Sequence, residues 1–152
     1  MNGLHLVSKI LLIDGILLIV LAFIHLFATP LIDKWLAHQL TAQVLENVSP
    51  AFLLNHIVVG ILLIPFGVST LYSSIGVRAG QGWARGIALT NALAVMSMPL
   101  LVVILMGPQY FEAPVFLVAA ILITVIGLSM ILPLIWLWNK PSRGGIVRTH
   151  HE

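Results

Sequence analysis

Four long runs of apolar residues, each close to the roughly 20 residues a bilayer crossing needs, alternate along this chain with short stretches rich in polar and turn-forming residues. The first runs over about 10–29 and is closed by Pro30. The second opens with Ser49 as N-cap and Pro50 at the first helical position, and continues over about 50–74. The third covers about 83–106 and stops at Gly107-Pro108. The fourth covers about 114–138 and stops before Lys140-Pro141. The pattern predicts an all-α protein, an integral membrane four-helix bundle. Between the first two runs, residues 31–48 place Ile32, Trp35, Leu36 and Leu40 on one helical face, with Lys34, His38 and Thr41 opposite. A short interfacial helix lying in this outer loop is expected.

Composition agrees with the pattern. Hydrophobic residues make up 60% of the 152 and charged residues only 8%, against roughly a quarter charged in soluble chains. Residues 1–138 are expected to form one transmembrane domain, and 139–152 a basic, mobile cytoplasmic tail. No repeat of 20 to 50 residues is visible, which counts against a transporter built from internal repeats. The first run contains Asp14 and lacks a small-x-small cleavage site, since Leu26 stands at the third position before Thr29. It is therefore expected to be retained rather than removed as a signal peptide.

Charge supplies the orientation. Lys9, Arg78, Arg85, Lys140, Arg143 and Arg148 fall on one side of the predicted spans and only Lys34 on the other. By the positive-inside rule both termini are cytoplasmic. Tyr72, Trp83, Trp136 and Trp138 then form an inner aromatic belt, and Trp35, Phe52, Tyr110 and Phe111 an outer one. A multi-pass protein of a bacterial or archaeal cytoplasmic membrane is expected. Its partners would be the lipid bilayer and other membrane subunits or further copies of itself. The formal charge is only +2 and the basic residues sit between membrane runs, so no nucleic-acid partner is expected. There is no cysteine, which excludes disulfides and thiolate sites.

Candidate chemistry centres on two histidines inside apolar runs, where polar groups are costly and mark functional positions. His25 and His56 lie five residues before Pro30 and six after Pro50, each roughly 8 Å below the outer boundary at 1.5 Å per residue. Asp14 and His25 are eleven residues apart, as are His56 and Gly67, so each pair shares a helical stripe. Stripes carrying polar groups or glycines face a bundle interior. Two imidazoles at one level could ligate haem b, or supply two corners of a copper or zinc site, with His38 as a third ligand and Glu112 as a further candidate. Gly60, one turn below His56, would leave room for a flat macrocycle. The alternative is that both histidines are interior polar groups satisfied by a backbone carbonyl, Thr29, Asn55 or Asn91.

Asp14 is the one acid within a run, and a structural tie to Arg85 is expected. Asn91 near the midplane should find a partner on another helix. A polar path through Asp14, Asn91 and His25 would need steps longer than one hydrogen bond. Met96 and Met98 bracket Ser97 and point to different faces, which fits packing better than a copper path. Pro65, Pro99 and Pro133 should bend their helices. No nucleophile, phosphate-loop or paired-carboxylate motif is present, so no catalytic residues are assigned. The expected function is a non-catalytic accessory or assembly subunit of a membrane complex. The alternatives are a haem- or metal-binding redox module on His25 and His56, and a small carrier or channel.

Overall fold

The computed structural model describes residues 3–107, 111 and 114–138. They form four α-helices: α1 Gly3–Gln39, α2 Ala42–Arg78, α3 Gly82–Met106 and α4 Pro114–Trp138. All four contain segments long and apolar enough to cross a membrane. Each helix packs on the next, and α4 returns to α1, so the four close into a ring with α3 diagonal to α1. Leu11, Leu18, Leu63, Val95, Ile126 and Met130 fill its centre. The tail expected after Trp138 lies outside the described residues.

The helix boundaries expected at Pro30 and Pro50 are corrected by the structure. α1 runs through Pro30 and α2 begins well before Pro50, with the turn at Leu40-Thr41. The residues of the expected interfacial helix are divided between the last turns of α1 and the first turns of α2. Proline removes one backbone N–H and crowds the carbonyl four residues back. Neighbouring groups in a membrane bundle compensate for this, so such helices continue where a soluble one would stop. Ser49 lies at the contact between the two continued helices. Rather than capping α2, its hydroxyl crosses to α1 and donates to Asp33 Oδ1 at 3.0 Å.

The α1–α2 contact organises the rest. On α1, Ser8, Gly15, Ala22, Thr29 and Leu36 recur every seventh residue and all are buried. On α2, Gly60, Gly67 and Ser74 do the same. A strict seven-residue repeat winds two helices into a left-handed coil, and small residues let their backbones approach closely. A Cβ built on Gly67 would lie 2.8 Å from the Gly15 carbonyl oxygen, and one on Gly60 would lie 3.2 Å from that of Ala22. The seam is backbone against backbone.

These contacts also set the levels of the helices. Gly76 faces Ala84, so α2 and α3 meet at the same end of the bundle. With 37 residues each, α1 and α2 outrun the 25 of α3 and α4. Counting from the contacts of Gly76 with Ala84 and of Asp14 with Ser129, α3 ends level with Leu54 and α4 begins level with Thr29. The α1–α2 hairpin therefore projects about 15 Å, some ten residues, past the described ends of α3 and α4. Phe116 at the start of α4 packs edge-on to Trp35 and Phe52 at the base of the projection, with ring centroids 6.1 and 6.5 Å apart. At the opposite end Tyr72 lies against Trp83 at 5.2 Å.

Candidate functional site

His25 and His56 meet where the hairpin leaves the bundle. Their rings stack face to face, with centroids 4.6 Å apart and planes 23° from parallel. Both are half-buried. The seam places them there: His56 lies on α2 one turn before Gly60, and His25 on α1 one turn before Thr29.

Hydrogen bonds engage the Nδ1 of each ring. His25 Nδ1 lies 3.1 Å from the Leu21 carbonyl oxygen, which can only accept, so this nitrogen is protonated. The Thr29 hydroxyl donates to the His25 carbonyl at 2.9 Å. The same oxygen lies 3.0 Å from His56 Nδ1, which donates to Thr29 Oγ1 when the hydroxyl hydrogen is on the His25 carbonyl. One threonine thus ties the backbone of α1 to the imidazole of α2. Each Nε2 has no hydrogen-bond partner among the described residues.

Haem does not fit this geometry. Two axial imidazoles point end-on at one iron, with metal–nitrogen bonds of roughly 2 Å on either side. The macrocycle then separates the rings, whereas here they are in direct facial contact. The space expected beside Gly60 is filled by Leu26, whose side chain lies 3.0 Å from the position of a Cβ on that glycine. Nor does a third ligand approach. His38 is exposed on the projecting hairpin, Glu112 lies outside the described residues, and among the described residues no group of three or more His, Asp or Glu could hold a metal. What the pair provides is a stacked imidazole pair, each Nε2 unbonded among the described residues, beside an inter-helix lock.

Deeper in the bundle a polar layer crosses all four helices. Asn91 Nδ2 on α3 reaches across to α2 and donates to Ser69 Oγ at 2.7 Å and Thr70 Oγ1 at 3.1 Å. Those hydroxyls in turn donate to the Pro65 and Phe66 carbonyls, both at 2.7 Å. On the other side of the ring Asp14 of α1 meets Ser129 of α4, with Oδ1 and Oγ 2.8 Å apart. Gly15, next to Asp14, faces Gly67, so both clusters lie at one depth. Hydrogen bonds between membrane helices average about 0.6 kcal/mol, so this layer fixes register more than it adds stability.

The expected Asp14–Arg85 tie is not formed. Asp14 Oδ2 and Arg85 Nε are each buried without a hydrogen-bond partner. The reason is the ring order, because α3 is diagonal to α1 while α4 is adjacent. Ser129 was the residue to find. It and Thr124 are the only hydroxyl-bearing or charged residues within 114–138, and an acid buried in a membrane takes whichever donor its neighbouring helix offers. Met96 packs on Gly127 of α4, its Cγ 2.6 Å from where a Cβ would stand. Asn55 is exposed and makes no contact with the histidines.

No protein-family model matches this chain, and no curated protein or solved structure matches it. The functional reading rests on the geometry above.

Proposed function

We propose that this is a non-catalytic accessory or assembly subunit of a membrane complex, engaging its partners through the projecting α1–α2 hairpin. One observation carries the reading. Both α1 and α2 continue about three turns past α3 and α4, and their ends display Val44, Val48 and Leu31 beside Lys34, Gln43 and Glu46, all exposed. A mixed apolar and polar surface of this kind suits a protein neighbour better than bulk lipid or bulk water. Within the bundle, by contrast, Asn91, Ser69, Thr70, Asp14 and Ser129 bond across neighbouring helices. The tip faces outward if both termini are cytoplasmic, which the six-to-one division of Lys and Arg supports. Tags on either terminus should then be reachable only from the cytoplasm, and a tag inserted at Gln43 only from outside. An externally accessible C-terminus would invert this orientation.

Purified under mild conditions, the protein is expected to migrate in an assembly larger than one chain, colourless and without stoichiometric metal. The double change Val44→Ser and Val48→Ser should release it from that assembly while leaving its own thermal unfolding unchanged. Migration of the unaltered protein as a lone chain would sink the proposal. So would a haem spectrum or bound metal lost in His25→Ala and His56→Ala, which would establish the redox alternative instead.

A further inference from the structure

The hydroxyl of Ser129 has two partners and one hydrogen. Its Oγ lies 2.8 Å from the Ile126 carbonyl oxygen and 2.8 Å from Asp14 Oδ1. Both are ordinary lengths for an O–H···O hydrogen bond. A serine donates only once, and a backbone carbonyl can only accept. If the hydrogen of Ser129 goes to Ile126, the contact with Asp14 needs a second hydrogen, and the carboxyl group is the one place it can come from.

We propose that Asp14 is a proton-binding site inside the membrane, held as the neutral carboxylic acid, with its Oδ1–H donating to Ser129 Oγ and Ser129 donating on to the Ile126 carbonyl. Burial of the group argues the same way. Asp14 is only 4% exposed, and its Oδ2 is buried with no partner. In a carboxylate that bare oxygen would carry half of the negative charge away from water, a severe cost. In the acid it is a carbonyl oxygen, whose burial unpaired is far milder.

Among the described residues no cation is hydrogen-bonded to Asp14. Lys9 on α1 and Arg78 on α2 are exposed, as is the phenol of Tyr72 on α2. Arg85 on α3 makes no hydrogen bond to Asp14. The described part of α4 has no ionisable side chain at all. Losing the proton would leave an unpaired ion at the depth of the Asn91 layer, so proton release and repacking of this layer are one event. This inference depends on the membrane placement and not on the accessory-subunit reading.

A hydrophobic carbodiimide is the probe, since it enters the bilayer and reacts with protonated carboxyl groups. The acid proton passes to a carbodiimide nitrogen and the carboxyl oxygen bonds to the central carbon. The acyl group then shifts from oxygen to nitrogen as a stable N-acylurea, with nothing oxidised or reduced. Full-length protein in phosphatidylcholine vesicles at neutral pH is expected to carry this adduct mainly on Asp14. Its infrared spectrum should show a carboxylic-acid carbonyl band that shifts in heavy water and disappears in Asp14→Asn. The shift is read on unaltered protein, so the assignment stays testable even if the variant folds poorly. Labelling of Asp33 or Glu46 that spares Asp14, or a spectrum with no such band, would overturn it.

Discussion

Gly67→Leu is expected to separate α1 from α2 and to destabilise the protein by about 3 kcal/mol or more, beyond the usual cost of overpacking a core. The first carbon of any side chain there would stand 2.6 Å from Ile19 Cγ1, 2.8 Å from the Gly15 carbonyl oxygen and 3.1 Å from the Ile19 backbone nitrogen. Two of those three neighbours are backbone, which cannot rotate aside. Relief would require the helices to move apart, and the same seam carries Gly60 against Ala22 and, one turn on, His56 against His25. The strain at one position is therefore shared along the seam. Gly86→Ala on α3 is the control: nothing lies within 4 Å of its added carbon, and the change should stay within about 0.5 kcal/mol. Unfolding in mixed detergent micelles reads both. Equal stability of the two variants would mean that α1 and α2 are not packed backbone to backbone.

Thr29→Val should cost between about 1 and 2 kcal/mol, in the range for leaving a buried polar group without its partner. Valine matches threonine in shape, so the change removes two hydrogen bonds and little else. The His25 carbonyl loses one donor, and His56 Nδ1–H loses its acceptor. Because His56 is half-buried, its ring can turn to find water, which holds the loss below that of a fully enclosed group. Thr29→Ser keeps the hydroxyl and should retain most of the stability. A nitrogen-15 spectrum adds a readout that packing alone would not move. The proton on His56 Nδ1 should be fixed in the unaltered protein and in Thr29→Ser, and should redistribute between the two ring nitrogens in Thr29→Val. If valine and serine behave alike in both measurements, the bond from His56 to Thr29 is not formed.

Hydropathy alone made the four helices legible, and the ends of α3 and α4 could be read from Gly107, Pro108 and Pro114. The ends of α1 and α2 could not. Proline marks a boundary in a soluble helix, but here each proline-containing segment packs against the neighbouring helix, with Ser49 bonded to Asp33 across the contact, and the helix goes on. That the two histidines stand at one level follows from counting inward from Pro30 and Pro50. Their direct stacking does not, because it depends on Gly60 and Leu26 closing the gap in which a macrocycle was expected. The partner of Asp14 was hidden for another reason. An acid was matched to the nearest base by depth, whereas ring order decides which helix is beside it, and no pattern along a single chain encodes ring order. Thr29 was visible as a hydroxyl near His25. Its role as a link to His56 appears only once the two helices are superposed in register.

Pro30 and Pro50 are both exposed and both lie between the stacked histidines and the turn, at similar heights on the hairpin. Neither contributes an amide hydrogen to its helix, so the carbonyls of Leu26 and Glu46 are free of the bonds that would stiffen this section of the two strands of the hairpin. Below them the glycine seam and the polar layer hold the helices in step; above them the hairpin is tied across by the Ser49–Asp33 hydrogen bond and braced against α4 by Trp35 on Phe116. A partner pulling on the tip would therefore load those two contacts before it disturbed the seam beneath them.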